Sequence, residues 1–293
     1  MNTYFRPRRS MLYVPGCNQQ YLEKARSLEV DSIILDLGDP ILLSAKETSR
    51  DNIVAALKQG GYGSREIVVR VNDLDSPWGH DDVNAIANLG ADAILFPNIE
   101  SRDDVIAALD ALEKAGNTDI PIMVMIESPL AVLHAEEIAK ASDRIACMVM
   151  ATSDLISHLH ARTTPNRAAV LASLSLVVLA ARAYDRSVID GINSNLKDMQ
   201  AFEYSCRLGR DMGFDGKSLV HPFQLPYSND AYTPKTMEVE FAKEIIEELS
   251  AANAAGRGTV LVNGKLVEHH HVTAAKRLLN LSDMITQLEI NND

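Results

Sequence analysis

Two carboxylate residues stand just after neighbouring apolar segments in the middle of the chain. Glu127 directly follows Ile122–Ile126, and Asp154 lies four residues beyond Ile145–Met150. If both segments are parallel strands, these carboxylates meet at one edge, and two carboxylates with water and substrate oxygens are the usual ligands of Mg2+. Glu127 also suits the start of the helix that follows, where the helix dipole favours negative charge. A metal pair and a helix-start glutamate are therefore both open.

An arginine, Arg70, stands near the end of a third apolar segment, Ile67–Val71. A cation at such a position needs an anionic partner, and the planar guanidinium suits a carboxylate held through two hydrogen bonds. That carboxylate could belong to a substrate, or to Asp36 or Asp39 within the chain. The sequence alone predicts either a substrate clamp or an internal ion pair.

These polar residues belong to a repeating pattern in which short apolar segments alternate with helical stretches. Most segments are apolar without interruption, as expected of strands covered on both faces, and their alternation with helices is typical of parallel α/β folds. The eight segments are Met11–Val14, Ser32–Leu35, Ile67–Val71, Ala93–Phe96, Ile122–Ile126, Ile145–Met150, Ser187–Ile192 and Ser218–Val220. Eight units favour a closed (β/α)8 barrel, a TIM barrel, over residues 1–232. No G-x-G-x-x-G follows the first segment, which argues against a dinucleotide-binding fold.

Helix starts can also be predicted from local motifs. Ser44-Ala-Lys-Glu47 has the form of a capping box, and Thr164-Pro165 places a cap residue before a proline at the first helical position. The uncharged run Ala168–Ala181 is shorter than the ~18 residues of a membrane span. We therefore expect it to be a buried or subunit-facing helix.

Residues 233–293 are predicted to form a C-terminal extension. Thr233-Pro234 begins a long helix that ends near Gly256, Asn263-Gly264 is a hairpin turn by its chemistry, and a last helix covers roughly Val272–Leu288. The segment is too small for an independent core. We expect it to pack on the barrel or on a neighbouring subunit.

Composition narrows the class of protein. The formal net charge of -12 over 293 residues argues against a nucleic-acid partner. Cys17, Cys147 and Cys206 form no C-x-x-C pair, and the N-terminus lacks the apolar core of a signal peptide. These features predict a cytoplasmic protein with no membrane association.

Ordered motifs along the whole chain resemble those of the citrate lyase β-subunit and malyl-CoA lyase family, part of the HpcH/HpaI aldolase superfamily. The segment from Asn72 to Gly79 is especially similar to the citrate lyase β-subunit. The motifs are Arg9-Ser-Met-Leu-Tyr-Val-Pro-Gly16, Leu35-Asp-Leu-Gly-Asp39, Arg70-Val-Asn72, Ile126-Glu127-Ser-Pro129, Gly213-Phe-Asp-Gly-Lys-Ser-Leu-Val-His-Pro222 and Gly264-Lys-Leu-Val-Glu268.

The resemblance implies a Mg2+-dependent carbon–carbon lyase that splits a 3-hydroxyacyl thioester into an acetyl thioester and a 2-oxo acid. It places the metal at Glu127 and Asp154. It also implies a homo-oligomer, most simply a trimer, in which Glu268 completes a neighbour's site. The implied catalytic residues are Arg70, Asp39 and Glu268, and the implied substrate-binding residues are Arg70, Pro15, Gly16, Asn72, Asn98 and His221.

Several positions depart from the family pattern. Gly38 replaces the usual glutamate, Asn98 the usual lysine, and Leu174 an arginine of many members, while Glu268 replaces an aspartate. Such changes could alter specificity or weaken catalysis. Two alternatives are therefore a metal-dependent aldolase acting on free hydroxy-oxo acids and a family member kept for binding or regulation. The sequence does not decide among citramalyl, malyl and citryl substrates, or between CoA and a carrier protein.

Overall fold

The computed structural model describes residues 5–38 and 41–292. The chain divides into two compact units, residues 1–232 and residues 233–293. Within the described residues, no helix combines the length and apolar character needed to cross a bilayer.

The first unit is a closed barrel of eight parallel strands in sequential order, with the first strand paired to the last. The prediction of a TIM barrel is confirmed, and no predicted strand bound shifts by more than two residues. The strands are β1 (Ser10–Pro15), β2 (Ser32–Asp36), β3 (Glu66–Arg70), β4 (Ala93–Phe96), β5 (Ile122–Ile126), β6 (Ile145–Met150), β7 (Ser187–Asp190) and β8 (Gly216–Leu219).

Helices follow the strands and cover the outside of the barrel. They are α1 (Gln19–Ala25), α2 (Lys46–Gln59), α3 (Gly79–Ile86), α4 (Arg102–Lys114), α5 (Pro129–Leu133), α6 (Ala135–Ala139), α7 (Thr152–His158), α8 (Leu171–Ala183), α9 (Met199–Met212) and α10 (Leu225–Tyr232), with 3-10 turns at Leu43–Ala45 and Pro222–Gln224.

One predicted helix cap and one predicted helix start are wrong. The Ser44 side chain does not cap α2. The helix begins at Lys46, directly after a 3-10 turn, and its N-cap residue is Ala45, which makes no side-chain capping hydrogen bond. Thr164-Pro165 begins no helix, because the Thr164 hydroxyl donates to the Asn166 side chain and the chain turns until α8 begins at Leu171.

Alternation along the strands decides which side chains reach the barrel mouth. Met11, Ile34 and Val68 pack together in the barrel interior, separate from the larger core between strands and helices. Side chains two residues further along a strand point the same way. Tyr13, Asp36 and Arg70 therefore also face the interior, at the carboxyl ends of β1, β2 and β3.

The second unit contains two helices and a two-stranded antiparallel hairpin. These are α11 (Thr236–Ala254), β9 (Val260–Val262), β10 (Lys265–Val267) and α12 (His269–Asn292). The hairpin turns at Asn263 and Gly264, both with positive φ, 48° and 77°, which asparagine and glycine tolerate best. A small apolar cluster includes Ile245, Leu249 and Val267. Its packing on a barrel or a neighbouring subunit stays a prediction.

Candidate functional site

A cavity of about 410 Å³ lies at the carboxyl ends of the barrel strands. Four carboxylate residues and two cationic residues line it, so we call it the acidic cavity. The carboxylate residues are Asp73, Glu100, Glu127 and Asp154, and the cationic residues are Lys46 and Arg70. Gly38, Asn72, Trp78, Asn98 and His158 also contribute to its wall. The excess of carboxylates suits a bound cation.

Glu127 and Asp154 are brought to this cavity from neighbouring strands. Glu127 joins β5 to α5, and Asp154 lies in the first turn of α7. Ser128 caps α5 by accepting a hydrogen bond from the Ala131 amide, whereas a Glu127 oxygen accepts one from the Asn98 amide at 2.5 Å. The Glu127 carboxylate is thus turned across the barrel mouth. The described residues contain no cluster of three or more His, Cys, Asp or Glu ligands, so a metal here would need water or substrate oxygens as well.

Arg70 forms a buried ion pair with Asp36 on the adjacent strand. Its Nε and Nη2 atoms donate to the two Asp36 oxygens at 2.6 and 2.8 Å. Arg70 is 7% exposed and Asp36 1%. Of the two interpretations left open by the sequence, the internal pair is formed. A role as substrate clamp stays a proposal, since Arg70 also lines the acidic cavity.

Tyr13 lies at the centre of these charges. The Arg70 guanidinium carbon is 5.1 Å from the centre of the Tyr13 ring. Burial raises the pKa of the Tyr13 hydroxyl, and Asp36, Glu127 and Asp154 raise it further against the lowering effect of Arg70. The hydroxyl therefore stays protonated. Sequence reasoning missed Tyr13, although its position two residues after inward-facing Met11 could have indicated it.

Lys46 is a second missed residue, and it shapes the cavity wall. Its buried ammonium donates to the backbone carbonyls of Leu37 and Gly38 and to the Asn72 side chain, at 2.8, 2.8 and 2.6 Å. The Asn72 amide in turn donates to Asp82 at 2.6 Å. Both Asn72 side-chain ends are thus held by protein, so Asn72 fixes the wall of the cavity.

Gly38 lets the Arg70 guanidinium lie against the backbone. A Cβ atom at Gly38 would come within 2.7 Å of the Arg70 Cζ atom, which is closer than atoms in contact allow. The glycine that departs from the family pattern therefore fits the position of Arg70 seen here.

Asn98 links two carboxylates of the acidic cavity. Its backbone has a positive φ of 55°, a region that asparagine tolerates better than most residues. The amide donates to Glu127, and the side chain donates to Asp73 at 2.5 Å. Asn98 thus holds the Glu127 carboxylate in place.

None of the other predicted site residues that the structure describes is among those that line the acidic cavity. Pro15 is the last residue of β1, and Gly16 directly follows it. His221 caps the 3-10 turn after β8, where its Nδ1 accepts from the Phe223 amide. Asp39 lies outside the described residues. Glu268 belongs to the second unit, directly after β10, where its amide donates to His271 Nδ1.

A closed barrel of parallel strands with a polar cavity at their carboxyl ends defines a TIM-barrel protein with its site at the usual face. The chain belongs to the HpcH/HpaI aldolase/citrate lyase family, whose family model matches residues 9–222.

Proteins named for thioester and citrate chemistry resemble the chain over nearly its whole length. A (3S)-malyl-CoA thioesterase of Cereibacter sphaeroides is 41% identical over 279 residues, 95% of this chain and 96% of the relative. A citrate lyase subunit beta of Haemophilus influenzae is 35% identical over 280 residues, 93% and 96% of the two chains. CitE of Mycobacterium tuberculosis, solved in complex with magnesium, acetoacetate and coenzyme A, superimposes with a TM-score of 0.76 at 23% identity. That match covers 95% of this chain and 98% of CitE.

Proposed function

We propose that the protein is a Mg2+-dependent lyase that cleaves the carbon–carbon bond of a malyl-type 3-hydroxyacyl-CoA. The products are acetyl-CoA and a 2-oxo acid. The observation that carries the proposal is the acidic cavity, where Glu127 and Asp154 stand beside Arg70 and Asn98. A relative named for malyl-CoA and a CitE complex with magnesium and coenzyme A support this substrate class and metal.

The carboxylates of Glu127 and Asp154 fit a magnesium ion. Both are oxygen ligands at one cavity, and one or two protein carboxylates completed by water and substrate are typical for this ion. When bound, Mg2+ supplies positive charge to the hydroxyl and carboxylate oxygens of the substrate. The Asn98 amide orients Glu127 for this task through its hydrogen bond.

Arg70 would hold the same end of the substrate as the metal. Asp36 fixes the guanidinium through two hydrogen bonds, so its charge is oriented before the substrate arrives. The substrate hydroxyl must lose its proton as the carbon–carbon bond breaks, and the electron pair of that bond passes to the thioester as an enolate. The enolate then takes up a proton at carbon to give the acetyl thioester. The resemblance implies that Asp39 and Glu268 are catalytic, and we propose that one of these carboxylates accepts the hydroxyl proton.

Thioester hydrolysis is the second candidate, because the relatives of 40–41% identity are named thioesterases. In that reaction a water oxygen bonds to the thioester carbonyl carbon, the carbon–sulfur bond breaks, and CoA leaves as the thiol. Lyase and hydrolase would use the same metal and arginine. The products distinguish the two reactions.

The deciding experiment follows both products from malyl-CoA, with Mg2+ and with a chelator. The lyase releases glyoxylate, detected as a hydrazone, and acetyl-CoA in equal amounts without free thiol. A hydrolase releases CoA thiol and malate without glyoxylate. Citramalyl-CoA, citryl-CoA and a free 4-hydroxy-2-oxo acid serve as parallel substrates. If no thioester gives either set of products, the protein is a family member kept for binding or regulation. Turnover of only the free hydroxy-oxo acid would identify an aldolase.

We also propose that the protein acts as a homotrimer with Glu268 in a neighbour's site. The outer face of α8 exposes Leu176 and Leu179, 47% and 67% accessible, and such apolar residues on one helix suit a subunit contact. Glu268 is exposed at the end of the hairpin. Light scattering after size exclusion measures the assembly, and a monomer with full activity contradicts it.

Complementation tests the shared site. Glu127→Gln and Glu268→Gln subunits are each expected to be inactive alone. After mixing and verified subunit exchange, some interfaces pair an intact Glu127 with an intact Glu268, so part of the activity returns. If exchange occurs and nothing returns, Glu268 does not act across subunits.

A further inference from the structure

A second cavity, of about 240 Å³, lies beside the acidic cavity at the same end of the barrel. Helix α7 separates the two. Asp154 and His158 line the acidic cavity, whereas Thr152, Ser153 and Ile156 line the second one. The other walls come from the segment 162–170, the residues after β7 and the start of α9.

Two cationic residues that line this second cavity, Arg167 and Lys217, share one buried carboxylate behind its wall. Asp190, at the end of β7, accepts hydrogen bonds from both terminal nitrogens of Arg167 and from the Lys217 ammonium at 2.6 Å. The side chains of Asp190, Lys217 and Arg167 are 0%, 1% and 11% exposed. Arg167 reaches Asp190 from a backbone with a positive φ of 58°, so the loop is shaped around this contact.

The charges in this group do not balance. With Lys217 protonated, Arg167 and Lys217 carry two positive charges and Asp190 supplies one negative charge. Arg162 adds a cation at the exposed rim. Among the described residues, the one carboxylate that lines the cavity is Asp198, which caps α9 by accepting from the Ala201 amide. We call this space the basic cavity. A buried excess charge is costly unless a counter-ion compensates it.

Two donors in this region also lack full pairing in the described part of the chain. The Lys217 ammonium carries three protons and donates one hydrogen bond, to Asp190. The buried Tyr232 hydroxyl interacts electrostatically with Asp190 and has no hydrogen-bond partner among the described residues, although Tyr232 does not itself line the cavity. Burial lowers the pKa of Lys217, and the like charge of Arg167 lowers it too, against the effect of Asp190. An anion in the cavity would stabilise the protonated form of Lys217.

We propose that the basic cavity is a binding site for a small oxyanion, a phosphate or a carboxylate, separate from the acidic cavity. Lys217 and Arg167 supply the charge at its base and Arg162 supplies charge at its rim. Hydroxyl groups such as those of Ser153 and Thr163 are further donors along the wall. The site does not depend on which reaction the acidic cavity performs.

The test is anion binding by the full chain in the presence of a chelator, so that no metal can hold the anion in the acidic cavity. Inorganic phosphate and malonate are titrated by calorimetry at constant ionic strength, balanced with chloride. Saturable binding of one anion per chain is expected, and the stronger of the two identifies the phosphate or the carboxylate as the preferred group. No saturable binding of either anion overturns the proposal.

Variants locate the binding. Lys217→Met removes the excess charge but leaves the Arg167–Asp190 pair, so the anion should bind at least about tenfold more weakly, while the anion-free melting temperature is kept or raised. Arg162→Gln on the exposed rim should weaken binding several-fold with an intact fold, whereas exposed Arg102→Gln serves as the matched control without effect. If Lys217→Met fails to fold, Arg162→Gln decides. Wild-type affinity in the folded variants refutes the site.

Discussion

Buried charges are arranged differently at the two ends of the barrel. At the amino end, Arg8 pairs with Glu66 through two hydrogen bonds of 2.7 and 2.6 Å, and Arg9 pairs with Asp31. Each of these two arginines has one carboxylate partner. At the carboxyl end, the acidic cavity has four carboxylate residues to two cations, and the basic cavity has a cation excess. Where each cation has one carboxylate, the pair serves to connect strands. Where charges of one sign are in excess, a bound ligand of the opposite charge is needed to compensate them.

The contacts of the Arg8–Glu66 pair at the amino end indicate a purely structural role. Arg8 precedes β1, Glu66 begins β3, and each is 2% exposed. Arg8 further donates to Ser187 at the start of β7, and Ser32 at the start of β2 donates to Glu66. Burial alone would raise the pKa of Glu66, but Arg8, Arg6 and Ser32 together lower the pKa by more, so the carboxylate stays ionised. This closed network leaves no group for a ligand.

The largest effect is expected for Glu127→Gln at the carboxyl end. The amide keeps an oxygen for the Asn98 hydrogen bond but loses the negative charge, so Mg2+ binding by calorimetry should be lost. Turnover should fall about 1000-fold or more, with the melting temperature unchanged. Glu100→Gln, which removes a charge from the same cavity, is the control and should retain Mg2+ binding. Metal-responsive activity in Glu127→Gln would show that the ion binds elsewhere.

The second largest effect is expected for Arg8→Met at the amino end, which should lower stability and leave catalysis unchanged. Removal of one partner leaves Glu66 buried without its cation, which should lower the free energy of unfolding by about 3 kcal/mol. The folded fraction should keep its kcat/KM. Arg6→Met is the control, because Arg6 is partly exposed and its ion pair with Asp92 is 3.9 Å long; it should cost less than about 1 kcal/mol. Denaturant unfolding measures the free energy of unfolding of both variants. A lower kcat/KM in folded Arg8→Met would contradict a purely structural role for the amino-end pair.

Arg70→Lys tests whether a buried pair at the carboxyl end also serves catalysis. Lysine keeps the charge but cannot match both Asp36 oxygens, so kcat/KM for the thioester should fall about 10- to 100-fold. Stability should change less than in Arg8→Met, because the positive charge remains. Unchanged kinetics with reduced stability would make Arg70 a structural partner of Asp36, like the pairs of the amino end.

The strands could be predicted from the sequence because burial on both faces requires continuous apolar segments. The bounds of β4, β5 and β6 agree with the prediction. Thr164-Pro165 was misinterpreted for a different reason. Thr164-Pro165 locally favours a helix start, but a tertiary contact overrides that preference. The segment must bring Arg167 to Asp190, 23 residues further along the chain.

Pairings between strands were the part of the site that the sequence left open. Arg70 had two equivalent partners in Asp36 and Asp39, and only the register, which sets Asp36 opposite Arg70, selects the first. Lys46 was missed because two of the three acceptors of its ammonium are backbone carbonyls of another segment. Such acceptors are present in every residue and carry no sequence signal.

The smallest expected effect is that of Gly38→Ala, which tests how tightly the carboxyl end is fitted. The new Cβ atom would lie 2.7 Å from Arg70 Cζ and 2.8 Å from its Nε and Nη2. Arg70 cannot simply turn away, because Asp36 holds two of its nitrogens and the Tyr13 ring lies on it. The Gly38 backbone is held too, with its amide on Asp36 and its carbonyl on Lys46.

Gly38→Ala should therefore displace the guanidinium by a few tenths of an ångström and destabilise the fold by about 1 kcal/mol. A displaced Arg70 should lower kcat/KM about fivefold, which corresponds to about 1 kcal/mol. Gly258→Ala is the control, because nothing lies within 4 Å of its added Cβ. In the double variant with Arg70→Lys the two losses should not add, since both act on the same contact. Additive losses would mean that Gly38 affects the cavity by a route other than Arg70.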